Sequence, residues 1–390
     1  MLNILYIGPN ESEWAQQNCP GSLAAAKWSR GFQTALAKVC NLTTLSHTYM
    51  YPWPKGRKIW VAYDKRYYPS GWDCVSIQYP ALRYVRELWW DMAYPAKARK
   101  IAQEKNVDAT IFYNCHFPYL LRTMKALHGI GVPCFPIILD GDDPRKDDWG
   151  WIKRAGQYSR GIVSLSWWVH ENCPVNVPKY HMDGGADSWR GRNVICGDHK
   201  TQSTKHYTLV HTGALDQWRG LDFMIDVVKA LSARRQDVKF IFCGKSSCRT
   251  LEKVFGDNKQ VELPGFVAEE EMERICNSAD VLLNVRDPKH PDNILNYPSK
   301  LPHYLSFGRP VVSTRLESLS PDYGEVVEFP SENTVDGFVR KVEEVMAWSA
   351  DEKSRKYDVI RNWFEKRKKW DVLAEGLERW ISGVILKTDR

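Results

Sequence analysis

The stretch NYPSKLPHYLSFGRPVVST, Asn296 to Thr314, gathers residue types that can hold a phosphate. Ser299 and Lys300 fall in the first turn after Pro298, where unpaired backbone N–H groups and the positive end of the helix dipole favour an anion. A lysine opposes that dipole unless an anion is bound, so the pair reads as a phosphate contact before it reads as a plain cap. A second group, Asp140, Asp142 and Asp143 between Leu139 and Pro144, has hard oxygens at a spacing that can hold a divalent ion. The motif is very short, and an acidic turn at a strand end is the better reading. From Tyr49 to Tyr94 aromatics interleave with basic residues, as in YMYPWPKGRKIW and ELWWDMAY. Such faces stack on sugar rings or sit at a lipid interface, and the alternative is a Trp-rich core insert.

These groups need a scaffold, and the length and patterning specify one. At 390 residues the chain exceeds one core, so two domains are expected. Aliphatic and aromatic residues at 43% with 26% charged describe a folded chain rather than a disordered one. The start MLNILYIGPN reads as a strand and turn, without the pattern of a signal peptide, and no apolar run is long enough to span a bilayer. A cytoplasmic protein, or one peripheral at the inner face of a membrane, is expected. The cysteines lie outside zinc-type spacing, and Cys134 and Cys243 sit in apolar runs, so they read as reduced core residues. A net charge of +7 suits acidic small molecules or an anionic membrane and is too dispersed to argue nucleic acid.

Short apolar runs alternate with helical periods, the pattern of parallel sheets built from βαβ units. Strands are expected at Asn3–Ile7, Ala109–Tyr113, Cys134–Leu139 and Gly161–Leu165, and again at Tyr207–Thr212, Val238–Cys243, Val281–Val285 and Pro310–Ser313. Helical patterns cover Ser22–Val39, Arg83–Glu104, Tyr119–His128, Leu221–Arg235, Glu269–Ser278 and Pro302–Phe307. The polar gap Cys196–His206 separates the two series. This gives an α/β chain with domains at 1–195 (Trp-rich insert about 49–97) and 207–369, joined by linker 196–206. From Trp370 an amphipathic helix carries Leu373, Leu377 and Trp380 on one face. Neither half has GxGxxG after its first strand, which argues against a nicotinamide or flavin dinucleotide.

From Leu209 to Thr314 the chain resembles, in order and spacing, the C-terminal domain of the group 1 glycosyltransferases, retaining nucleotide-sugar enzymes of GT-B fold. The resemblance implies two Rossmann-like domains facing across a cleft, with the C-terminal helix crossing back to the first. In LVHTGALDQWRG it implies a donor-diphosphate loop at Gly213, where Ala214 replaces the usual Arg and Arg219 takes the place of the usual Lys. It implies donor contacts at Lys245 after the next strand, a base resting near Phe266 and Val267, and phosphate contacts at Ser299 and Lys300. His303 stands where a ribose-holding Glu is usual. Leu295 stands where a sugar-touching Glu is usual and cannot replace it, so Asp287, Asp292 and Asn293 are alternatives. In the first domain it implies donor-phosphate contacts at Gly21 and Ser22 and places His116 near the donor sugar. DGGAD, Asp183 to Asp187, resembles the turn that closes the first domain.

The expected function is transfer of a sugar from a nucleotide-sugar donor to a glycan, lipid-linked or small-molecule acceptor, as in polysaccharide biosynthesis. Retention is expected, with no cofactor and no metal, and with His116, Arg219 and Lys300 as the catalytic set. The rivals are a sugar-nucleotide epimerase or hydrolase of the same fold, and a non-catalytic glycan-binding or coat-type protein on a GT-B scaffold.

Overall fold

The structure, a computed structural model, describes residues 1–19, 23–139, 143–192, 206–214, 219–244, 247–287 and 289–387. The chain divides into two units. The first comprises Met1–Gly185, Leu295–Tyr297 and the segment from Trp370; the second comprises Ala186–Ile294 and Pro298–Lys369.

The first unit is built on a seven-stranded parallel sheet. Its strands are β1 (Asn3–Ile7), β2 (Asn41–Ser46), β4 (Asp73–Ser76), β6 (Ala109–Tyr113), β7 (Cys134–Ile138), β8 (Ile162–Ser164) and β9 (Lys179–His181), in the order β4-β2-β1-β6-β7-β8-β9. Helices α1 (Glu13–Asn18), α2 (Leu23–Val39), α3 (Val85–Glu104), α4 (Pro118–His128), α5 (Gly150–Gly156) and α6 (Trp167–Asn172) connect them. The strands β3 (Trp60–Val61) and β5 (Tyr79–Pro80) form a separate antiparallel ribbon within the Trp-rich insert. Strand β2, NLTTLS, lacks a clear apolar run, yet five of its six residues are buried. Thr43 and Thr44 are tolerated there because a β-branched side chain fits a pleated sheet, and Thr44 Oγ1 accepts from Asn10 Nδ2 at 2.6 Å.

The second unit has a six-stranded parallel sheet in the order β12-β11-β10-β13-β14-β15. These are β10 (Tyr207–Thr212), β11 (Val238–Cys243), β12 (Val261–Gly265), β13 (Val281–Asn284), β14 (Val311–Ser313) and β15 (Val327–Glu328). Helices α7 (Leu221–Arg234), α8 (Ser247–Phe255), α9 (Glu269–Ser278), α10 (Lys300–Leu305), α11 (Val335–Met346) and α12 (Ala350–Arg367) complete it. The core packs α7 and α11 on one face of the sheet through Met224, Val228, Leu231, Phe338 and Val342. Thr334 caps α11 and a Ser349–Glu352 capping box starts α12, satisfying N–H groups that a helix start leaves orphaned.

The last helix, α13 (Trp370–Leu386), packs against α2 of the first unit. Its Trp370, Ala374, Leu377 and Ile381 are buried, and Trp380 stacks on Tyr180 of β9 with ring centroids 5.2 Å apart. No described helix is long and apolar enough to cross a membrane. The strand cysteines Cys134 and Cys243 are buried.

Candidate active site

In the second unit the carboxyl ends of the strands carry the residues with chemistry, where open α/β sheets bind ligands. Strand β10 ends at Thr212 and turns at Gly213, whose φ of +86° belongs to the left-handed region. Two residues earlier, His211 is 1% exposed. Its Nδ1 lies 2.9 Å from the Leu283 carbonyl of β13, which fixes Nδ1 as the protonated nitrogen because a carbonyl only accepts. Nε2 then carries the lone pair and accepts from Lys300 Nζ at 3.0 Å. The same ammonium donates to the Ala214 carbonyl at 3.2 Å. A Cβ on Gly213 would stand 3.0 Å from Lys300 Cε, so the lysine stem lies across the glycine.

Burial pushes the His211 pKa well below 6.5, and the Lys300 and Arg286 cations push it further the same way. His211 is therefore a neutral acceptor that aims an ammonium along the β10 turn. One turn along α10, the buried Tyr304 hydroxyl accepts from Thr212 N at 2.7 Å and lies 3.2 Å from Thr212 Oγ1. Helix α10 is thus pinned to the end of β10 twice, by Lys300 and by Tyr304.

The folded His211 stays neutral while the unfolded one titrates near 6.5, so the unfolded state binds the extra proton below that pH. Stability of the second unit should fall by about 1.4 kcal/mol per pH unit on acidification below about 6.5 from this group alone. Urea unfolding of wild type and His211→Asn across that range checks it: the variant should lose this part of the slope.

A second strand end brings more cations. Gly220, at φ +89°, leaves no room for a side chain, since a Cβ would meet the Arg286 carbonyl carbon and the Asp287 nitrogen at 3.0 Å. The half-buried Arg219 therefore sits on backbone pressed against the loop after β13. Arg286 is 7% exposed, and its N donates to Thr314 Oγ1 at the end of β14. In the same loop the Asp287 carboxylate accepts from Lys289 N at 2.9 Å, and Asn293, itself buried, donates through Nδ2 to the Asp287 carbonyl at 2.6 Å. Asp292 faces His290, with Oδ2 at 3.9 Å from Nδ1.

The other expected residues fall as follows. Ser299 has helical φ and ψ of −56° and −12°, an exposed side chain and no capping hydrogen bond. His303 is half-buried, edge-on to Phe307 at 5.0 Å. Phe266 is 74% exposed and Val267 half-buried just beyond β12, whose Gly265 carbonyl accepts from Gly244 N after β11. Leu295 is fully buried in an apolar cluster of the first unit with Ile138, Trp149 and Ile152, so its side chain offers a sugar nothing polar.

In the first unit, His116 lies three residues beyond β6, exposed, against the rings of Phe117 at 4.0 Å and Trp151 at 6.1 Å. Desolvation by these neighbours lowers its pKa. Asn114 before it takes a left-handed φ of 49° and accepts from Leu139 N, tying the ends of β6 and β7 together. Asp143 is gripped by the Arg145 guanidinium, with Oδ1 2.9 Å from Nε and Oδ2 2.8 Å from Nη2, and these bonds lower its pKa. It serves an ion pair. Gly21, Ser22, Lys245, Asp140 and Asp142 lie outside the described residues, as does linker 196–205. Among the described residues no group of three or more His, Cys, Asp or Glu is arranged to hold a metal ion.

His211 and Arg286 escaped the sequence reading. The available signals were a histidine inside an otherwise apolar strand two residues before a glycine turn, and an arginine directly after the Val281–Val285 run.

Residues 206–347 match the family model described as Glycosyl transferases group 1. No curated protein matches the chain in sequence. Among solved structures it is similar to a glycosyltransferase from Rickettsia africae, with 9% identity and a TM-score of 0.67 over 98% of both chains. It is also similar to sucrose-phosphate synthase from Thermosynechococcus elongatus, with 10% identity and a TM-score of 0.66 over 99% of this chain and 100% of that one. Anabaena Alr3699/HepE, solved in complex with UDP and glucose, gives 10% identity and a TM-score of 0.60 over 98% of this chain and 100% of that one. At these identities the likeness establishes a shared fold of two Rossmann-like domains.

Proposed function

With residues 206–347 matching the model of the group 1 glycosyl transferases, we propose that this protein transfers a sugar from a nucleotide-sugar donor to a glycan, lipid-linked or small-molecule acceptor, with retention and without a metal ion. The observation that carries this reading is Lys300, held by His211 Nε2 and the Ala214 carbonyl and laid across Gly213. A lysine at a helix start opposes the positive end of the helix dipole, and a bound anion there offsets that repulsion. A donor diphosphate at the β10 turn is an anion of this kind. As the bond from the anomeric carbon to the diphosphate breaks, its electrons go to the leaving oxygen, and Lys300 stabilises the charge that grows there. Arg219 and the exposed Ser299 hydroxyl add donors to the same diphosphate. Phe266 offers an apolar face to the base and His303 a polar one to the ribose. Without a divalent ion, these protein cations carry the whole electrostatic task.

Leu295 favours a second reading, in which the nucleotide-sugar is bound but not transferred, since the position that resemblance gives to a sugar-touching carboxylate is buried hydrocarbon. Thermal unfolding against UDP, GDP, ADP, CDP and dTDP, with and without EDTA, tests the first step. One nucleotide should raise the midpoint by a shift unchanged by EDTA, worth about 2.7 kcal/mol when present at about a hundred times its Kd. No shift with any of them would count against a nucleotide site, and a shift abolished by EDTA would return Asp140 and Asp142 to consideration as metal ligands. Product analysis with donor alone and with acceptor then separates transfer from hydrolysis, epimerisation and binding without turnover.

A further inference from the structure

Helix α3 is apolar on two opposite sides at its start. One stripe, Trp90, Tyr94, Ala98 and Ile101, is buried in the first unit's core. The other, Val85, Leu88, Trp89 and Met92, follows the i, i+3, i+4, i+7 spacing of a helix face, and Leu88 and Met92 are 64% and 65% exposed. A helix face of this composition is normally covered.

The exposed stripe continues into the β3–β5 ribbon. Trp60 packs edge-on to Trp89 with centroids 5.6 Å apart, and Trp89 Nε1 donates to the Gln78 carbonyl at 2.8 Å. Ala81 N donates to Ile59 O and Trp53 N to Ala81 O, both at 2.7 Å, so Trp53 and Ile59, about half exposed or more, are held beside the helix by main-chain bonds. The apolar face is therefore fixed in place, with indole rings at its edge.

Its charges have one sign. The acids on this part of α3 are engaged, Glu87 with Arg86 at 2.7 Å and Asp91 with Arg122 at 3.3 Å. Lys55, Arg57, Lys58 and Arg83 are exposed and pair with no carboxylate among the described residues; Lys55 lies over the Tyr51 ring and Arg83 over Tyr84. Exposed aliphatic side chains, rigid indoles and exposed cations, contributed by the start of α3 and the insert beside it, match the layers of an anionic bilayer surface: acyl boundary, headgroup region and phosphates.

We propose that this face docks the protein peripherally on an anionic lipid bilayer. Leu88 and Met92 enter the acyl boundary, Trp53 and Trp60 lie at headgroup level, and the four cations meet lipid phosphates. Docking of this kind needs no nucleotide, so it stands or falls apart from the transferase reading.

Co-sedimentation with vesicles tests it, using phosphatidylcholine alone and phosphatidylcholine mixed with phosphatidylglycerol. The wild-type chain should pellet with the mixed vesicles, remain in the supernatant with phosphatidylcholine alone, and lose binding as salt rises. Two variants, Leu88→Ser with Met92→Ser and Lys55→Gln with Lys58→Gln and Arg83→Gln, should each lower the partition coefficient about tenfold or more. All five side chains are exposed, so unfolding midpoints and any nucleotide-dependent shift should match wild type. The proposal is overturned by a wild-type chain that stays in the supernatant with anionic vesicles, by equal binding to both vesicle types, or by variants that bind as wild type does; in the first case a protein or glycan would be the occupant of the face.

Discussion

On the proposed transferase reading, replacing Lys300 with alanine should lower kcat by about 10²- to 10³-fold, the range found when one charge-stabilising donor is removed from a site where negative charge develops. A unit charge about 4 Å from another is worth roughly 4 kcal/mol at an effective dielectric near 20, so one ammonium accounts for an effect of this size. The fold should survive, because Tyr304 still ties α10 to Thr212. His211, relieved of a neighbouring cation, titrates less far below its ordinary range. Lys300→Arg should restore little: a planar guanidinium does not reproduce a point contact shared between an imidazole nitrogen and a carbonyl in the space over Gly213. Single-turnover rates, with unfolding midpoints alongside, decide the matter. Near-normal turnover in Lys300→Ala would remove this residue from the site and shift the role to other cations such as Arg219 and Arg286.

Trp370→Ala should cost the first unit about 3–5 kcal/mol, a large share of the roughly 5–15 kcal/mol that keeps a typical domain folded. Trp370 is 6% exposed and stands edge-on to Trp28 at 5.4 Å, with Phe32 at 6.3 Å. A Cβ added to Gly31 of α2 would collide with its indole, and one added to Gly185 would meet it at 2.8 Å. The ring thus fills a space that two glycines leave open, and alanine leaves a cavity lined by backbone that cannot close around it. Leu386, 67% exposed at the end of the same helix, is the control, and its replacement by alanine should change stability by less than about 0.5 kcal/mol. Urea unfolding followed through near-ultraviolet signals of the aromatic cluster reads both. A loss under about 1 kcal/mol for Trp370→Ala would mean that α13 adds little to the first unit.

The sequence by itself determined what depends on neighbours a few residues apart. The runs at Asn3–Ile7, Ala109–Tyr113, Tyr207–Thr212 and Val238–Cys243 are strands with those bounds, and the periods at Leu221, Glu269 and Trp370 are helices. Alternation of the two implied parallel sheets, and the Pro-Ser-Lys start with its Gly-Arg-Pro corner marked α10 and β14. Strand β2 was hidden because Thr43 and Thr44 look polar to any local pattern, and their burial follows from pairing with β1 and β4 on both sides. The packing of Leu295 was also hidden: the resemblance sets it where a sugar-touching Glu is usual, and its side chain lies in an apolar cluster of the first unit. Only the tertiary structure decided that Lys300 has His211 as its acceptor, 89 residues away. That contact needs β10 and β13 to be neighbours in the sheet order β12-β11-β10-β13-β14-β15, and needs Tyr304 to hold α10 against the end of β10. Local periodicity fixes which residues form strands and helices. Which strand lies beside which, and so which side chains meet across the sheet, follows from the burial of both faces at once, a property of the whole unit.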